Sequence, residues 1–187
     1  MARSARVLTF ALVGLLATAA PVIPRAATAA SAAELRRDSA TALKNLYDKE
    51  TAAKLLGEKA KGVLVFPSIV KGGFMVGGQI GEGALWKRGK VVGYYNSVAA
   101  SYGLQAGLQT FGYALFFMND AALKQLDDTR GFEIGVGPSI VVVDAGIAKS
   151  MTTNTLTSDV YAFIFSQKGL MAGLGIQGSK ITKVKKN

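Results

Sequence analysis

The sequence predicts an α+β domain: a curved, mostly antiparallel sheet, a roll or partly closed barrel, with N-terminal helices and one short inserted helix. Three observations carry this. Helical spacing of apolar residues is confined to the first part of the mature chain and to one short stretch near residue 120. Extended segments follow one another closely in sequence, which favours antiparallel neighbours. Glycine supplies 22 of 187 residues, and only Gly14 precedes Gly57, so the excess belongs to the sheet region.

The first stretch reads as an exported leader. Arg3 and Arg6 precede the apolar run Val7 to Ala20, and Ala27-Thr28-Ala29 offers small residues for cleavage. The expected organisation is a secretory signal at residues 1–29 and a single domain over 30–187. The run is too short to span a bilayer comfortably, which takes about 20 apolar residues. Export places the mature chain in the periplasm, in association with a membrane surface. With no cysteine, neither disulfides nor a lipobox attachment is available.

From Ser31 to Tyr47, Leu35, Ala42, Leu43, Leu46 and Tyr47 recur at helical spacing, with Ser31 as the cap. Asp48 to Ala60 continues the pattern through Ala52, Leu55 and Leu56, and Gly57 weakens it, so two helices or one bent helix are expected. Val63 to Phe66 is a continuous apolar run bounded by Gly62 and Pro67, as in a strand buried on both faces. Gly73 to Trp86 reads as a separate extended segment opened by a turn at Lys71. Gly73, Gly77, Gly81 and Gly83 fall on one of its faces, which suits a bend, a close backbone approach or a ligand wall.

Lys87-Arg88-Gly89-Lys90 predicts a tight hairpin turn. Strands follow at Val91 to Ser97, Tyr102 to Phe111 and Tyr113 to Met118. Asn119-Asp120 caps a short helix through Leu126. Phe132 to Val143 returns to strand with a bulge or edge at Pro138, and Tyr161 to Phe165 and Leu170 to Ile176 complete the sheet. Lys180 to Asn187 reads as a frayed basic end.

The chain has no histidine and no cysteine, which removes the common metal ligands, the neutral-pH general base and the thiol nucleophile. Gly173 to Gly178 has the spacing of a dinucleotide fingerprint, but too little chain follows to complete the unit. Ser68-Ile69-Val70-Lys71 matches the serine–lysine spacing of penicillin-binding enzymes without the rest of their motif set. Glu82, Glu133, Asp144 and Asp159 read as solvated or ion-paired carboxylates. No enzyme and no cofactor is expected. The net charge of +10, or +7 without Arg3, Arg6 and Arg25, favours anionic lipid, anionic polysaccharide or acidic partners over nucleic acid for an exported chain.

Four segments in order, Lys59 to Phe66, Ile69 to Phe74, Val136-Gly137-Pro138 and Ser166 to Gly173 followed by Gln177-Gly178-Ser179, resemble the SYLF domain family over roughly Ala33 to Lys183. The resemblance implies a lipid-binding module without enzymatic activity. Eukaryotic members bind phosphoinositide membranes and some bind actin, and an amphipathic N-terminal helix joins the lipid contact; an anionic phospholipid is the carry-over here. The helix matching that position brings Arg36, Arg37 and Lys44. Lys71 and Lys168 stand next to glycine in the shared segments. Trp86 with Lys87, Arg88 and Lys90 sets an aromatic ring beside three cations at the hairpin tip, an expected interfacial foot. Two other architectures fit the strand pattern: a small outer-membrane β-barrel, and a periplasmic carrier enclosing a hydrophobic ligand against the glycine face.

Overall fold

The computed structural model describes residues 29–127, 131–135, 138–152, 156–169, 176 and 178–186. The expected leader at 1–29 falls almost wholly outside them, as does most of the strand expected over Leu170 to Ile176.

Helix α1, Ala32–Lys49, starts on a capping box. The Ser31 hydroxyl accepts from the Glu34 backbone N–H at 3.2 Å, and the Glu34 carboxylate accepts from the Ser31 N–H at 2.9 Å. The Ser31 N–H first, and second the Ser31 hydroxyl, which donates to the same carboxylate at 2.9 Å, hold the Glu34 carboxyl below its usual pKa. Glu50 adopts an extended conformation and separates α1 from α2, Thr51–Lys59. Gly57 stays in α2 because the Tyr47 ring lies on it: a Cβ there would stand 2.6 Å from the ring's Cζ.

Two very long strands dominate. β1, Gly62–Lys87, has 26 residues and β2, Lys90–Phe117, has 28; they pair antiparallel from Gly62↔Phe117 to Lys87↔Lys90. Arg88 (φ 49°) and Gly89 (φ 75°) form the two-residue turn with positive φ at both positions. The segments expected as separate strands are therefore continuous. Pro67 does not end β1, because among the described residues β1 pairs only with β2 and its other edge makes no ladder for a missing N–H to interrupt; the register instead shifts between Phe66 and Ile69. Lys71 sits inside β1 opposite Gln109, which corrects the expected turn.

A straight strand of 26 residues would measure about 85 Å, and this hairpin does not run straight. It folds back on itself at an elbow around the register shift between Gly73 and Met75. A Cβ on Gly81 would stand 2.6 Å from the Ser68 carbonyl oxygen, and one on Gly83 would stand 2.8 Å from that of Val65. The glycine face thus admits the strand's own earlier backbone. It is not the wall of a ligand cavity.

The remaining strands pair with β2. β5, Val160–Gly169, lines its base half, and β6, Lys180–Val184, lines its tip half. β3, Phe132–Glu133, pairs with β6; β4, Ile140–Val142, joins β5 in parallel, so the sheet is mixed at that edge. Helix α3, Asp120–Lys124, is capped by the Asn119 side chain as expected and continues into a 3-10 turn, Gln125–Asp127. Helix α4, Ala145–Ser150, capped by Asp144, was not expected from the sequence. Lys180 to Val184 is a strand and not a frayed end.

One core fills the curl, with Leu64, Phe66, Ile69, Tyr95, Phe111, Tyr113 and Leu115 closed off by Leu123 and Leu126. A second lies between the outer face of the base half and the helices, with Val63, Val65, Phe116 and Phe163 against Leu46, Ala53 and Leu56. The base half is buried on both faces, which explains why Val63–Phe66 and Tyr113–Phe117 are unbroken apolar runs. The curl is filled mainly by large apolar and aromatic side chains, with a few buried polar groups such as Ser97 hydrogen-bonded among them, unlike the water-filled polar lumen of a porin-type barrel. Among the described residues no helix is long and apolar enough to cross a membrane.

Candidate functional site: a basic cleft at the hairpin tip

The fold-back brings the hairpin tip beside the hairpin's own base. Between them lies an open cleft of about 910 Å³. One wall is the α2–β1 junction, Glu58 to Lys61; the other is Lys87, Arg88, Lys90 and Val92 of the hairpin, with Asp120 at the start of α3. The junction is fixed by the Lys61 backbone N–H, which donates to the Phe117 carbonyl at 2.8 Å. Tyr47, packed over Gly57 next to Glu58, has its phenol pushed up to about 12 by burial, and the Glu58 charge adds to the shift.

Five cations therefore face one hollow against two carboxylates, Glu58 and Asp120. None of the five is in an ion pair among the described residues. Like charges gathered without partners lose stability to mutual repulsion and gain it back when an anion binds. Arg88 can take a phosphate through two N–H groups, and the lysines act as adaptable point charges. Phosphate-bearing or carboxylate-bearing ligands suit such a cleft.

Lys87, Arg88 and Lys90 thus stand together as the sequence suggested, joined by Lys59 and Lys61, which it did not single out as site residues. Both lie in the segment resembling SYLF proteins, but only the fold-back shows that a junction 26 residues upstream of the turn meets it. Trp86 is placed differently from the interfacial foot expected of it. Its ring is partly buried in the outer core, and its indole N–H donates to Ser39 Oγ of α1 at 3.1 Å.

Arg36, Arg37 and Lys44 are exposed on α1 and do not join the cleft. Arg37 pairs with Asp38 at 3.2 Å and Lys44 with Asp48 at 2.6 Å. The apolar stripe of α1, Leu35, Ser39 and Leu46, is buried in the protein, leaving only the polar face outside. Lys71 and Lys168 lie on strands flanking β2, opposite Gln109 and Thr110 respectively, so they share one end of the sheet but not one face. They are remote from the cleft along the strand. A second hollow of about 320 Å³, between α1, α4 and β5, includes Lys49 and Asp144 but none of the cations singled out from the sequence.

Of the four carboxylates expected to be solvated or ion-paired, Asp144 caps α4. Glu82 pairs with Lys186 at 2.7 Å, and Asp159 accepts from Asn119 and twice from Ser139.

Compared with known proteins, residues 98–187 match the model of a family described as Ysc84, Las17-binding protein actin regulator. No curated protein matches the chain.

Proposed function

We propose, from the match of residues 98–187 to the Ysc84 (SYLF) family model, that the protein is a non-enzymatic, exported lipid-binding module that attaches reversibly to anionic phospholipid membranes in the periplasm. The observation that carries this reading is the cleft formed by Lys59, Lys61, Lys87, Arg88 and Lys90, five cations without ion-pair partners among the described residues. The site's chemistry is capture of phosphate-bearing headgroups.

Each basic side chain near an anionic surface contributes roughly 1 kcal/mol. Five give a dissociation constant of about a few tenths millimolar, so attachment through the cleft is weak and falls as salt screens it. Co-sedimentation of the purified mature protein with phosphatidylglycerol and phosphatidylcholine vesicles tests this. Binding to the anionic vesicles alone, released by high salt and lost on the double substitution Lys87→Glu and Lys90→Glu, is the expected result. Equal binding to both vesicle types, or to neither, refutes the electrostatic mechanism.

A further inference from the structure

The fold-back divides the hairpin into a base leg, which carries β5, and a tip leg, which carries β6 and the turn. The chain ahead of α1 meets the tip leg through one carboxylate. The Ala30 backbone N–H donates to Glu82 Oε2 at 2.9 Å. The other oxygen, Oε1, accepts from Lys186 Nζ at 2.7 Å, and Lys186 also donates to the Ala30 carbonyl at 2.6 Å. These three residues close a triangle that ties the start of α1 to β1 and to the chain just beyond β6. Only 8% of the Lys186 side chain and 23% of the Glu82 side chain is exposed, so water screens the charges poorly.

An acceptor beside this triangle has no donor. Asn96 of β2 stands directly opposite Glu82 of β1 and opposite Thr182 of β6, and paired residues share a face. Its Oδ1 is buried and accepts no hydrogen bond among the described residues. Tyr94, two residues earlier on the same face, donates to the Ala32 carbonyl at 3.1 Å, so Ala30 to Ala32 lie against the Asn96 side of the tip leg. Buried oxygens without a donor are uncommon, because leaving one unpaired is costly.

Ala30 is also the residue that follows Ala27-Thr28-Ala29, the small-residue cleavage sequence of the expected leader. We infer that hydrolysis between Ala29 and Ala30 turns this corner into a charge latch, with the new α-ammonium of Ala30 held by the Glu82 carboxylate and the Asn96 amide oxygen. This rests on the reading that the chain is exported. The oxygen of water joins the Ala29 carbonyl carbon as the bond from that carbon to the Ala30 nitrogen breaks. Ala29 leaves with the leader as a carboxylate, and both protons of the water end on the nitrogen as ammonium. That nitrogen already sits on Glu82, so the reaction adds a positive charge and two N–H donors in place. One donor stays on Oε2, and a second serves Asn96 Oδ1. Glu82 then stands between two cations where the precursor gives it one, a stronger set of charge-assisted bonds.

The other cuts of the same type do not build the latch. A cut after Ala17-Thr18-Ala19 leaves residues 20–29 ahead of Ala30 and its nitrogen an uncharged amide. A cut after Ala30-Ser31-Ala32 removes both Ala30 and the Ser31 capping box of α1. Leader removal at Ala29 thus firms the fold after export.

The intact mass of the exported protein, recovered after expression of the full precursor, reads the cut, and a chain beginning at Ala30 is expected. A mature chain beginning elsewhere overturns the latch and leaves export standing; a precursor that is neither cleaved nor exported overturns both. Protein starting at Ala30 is then compared with protein that keeps Ala27-Thr28-Ala29 ahead of it, each released from a fusion partner with no added residue. Urea denaturation is run near pH 7, where an α-amino group is protonated. The unfolding equilibrium constant is expected to be about tenfold smaller for the Ala30 start. The double variant Glu82→Gln with Lys186→Met removes both side-chain charges together and so strands neither; in it the two starts should agree within about twofold. Equal stability of the two starts in the wild-type sequence, or an undiminished difference in the double variant, overturns the latch.

Discussion

Tyr113 and Ser97 stand sixteen residues apart on one β-strand, yet the Tyr113 hydroxyl donates to Ser97 Oγ at 2.7 Å in a buried setting. In a straight strand the two would be separated by about 53 Å. Their contact is the signature of the fold-back, and the burial that comes with it pushes the Tyr113 phenol well above its ordinary pKa.

The glycines opposite this contact should be sharply ranked. Gly81→Ala places a Cβ 2.6 Å from the Ser68 carbonyl oxygen and 2.4 Å from Ile69 Cδ1; the expected loss is about 2–3 kcal/mol of stability in urea denaturation. Gly78→Ala, whose nearest contact would be 3.4 Å from the Ala99 carbonyl oxygen, should stay within about 0.5 kcal/mol of wild type. Equal losses at both positions would mean that the fold-back does not constrain them.

Trp86 reports on α1, not on lipid. Its emission should therefore not shift to the blue when vesicles are added. Trp86→Phe removes the bond to Ser39 and should cost about 1 kcal/mol, with faster hydrogen exchange in the first turns of α1 as the local readout.

The last residues should matter as much as the core. Lys186 Nζ reaches Glu82 at 2.7 Å and the Ala30 carbonyl at 2.6 Å, while Glu82 also accepts from the Ala30 N–H at 2.9 Å. The Lys186 side chain is only 8% exposed, so Lys186→Met leaves Glu82 without its side-chain cation and should destabilise by about 2–3 kcal/mol. In combination with Glu82→Gln the losses should be far from additive, a result that thermal melts of the three variants would show.

Acid should loosen the junction between α3 and β5. Asp159 accepts from Asn119 at 2.7 Å and from the Ser139 N–H and hydroxyl at 3.1 Å each. These bonds, Asn119 first, hold its carboxyl below the ordinary value of 3.8. A folded pKa below the unfolded one contributes stability that is complete above the unfolded value and disappears as pH falls through the folded one. Asp159→Asn should therefore remove a part of the acid sensitivity confined to pH values below about 4, and the two proteins' denaturation midpoints, measured from pH 6 to pH 2, should converge at the acid end.

The local elements were legible because their causes are local. The Ser31 capping box, the Asn119 cap and the Arg88-Gly89 turn each rest on residues within four positions of one another. The unbroken apolar runs announced burial on both faces. The fold-back was not legible, since alternation assigns each side chain a face but says nothing about what meets that face. For the same reason Lys59 and Lys61 could not be joined to the hairpin tip. β6 escaped notice because Lys180 and Lys183 look solvated in sequence, and it is pairing with β2 and β3, with Lys183 held by Asp127 at 2.6 Å, that orders them.

Gly81 and Gly83 also bear on how the hairpin finds its alignment. Sliding the tip leg by one residue against the base leg would present Ile80 and Glu82 to the backbone at Val65 to Ile69, where there is no room for a Cβ. A misaligned hairpin can zip, but it cannot close into the curl. The two glycines thus work as a key cut for a single register, and the hairpin's alignment is checked at the moment its halves come together.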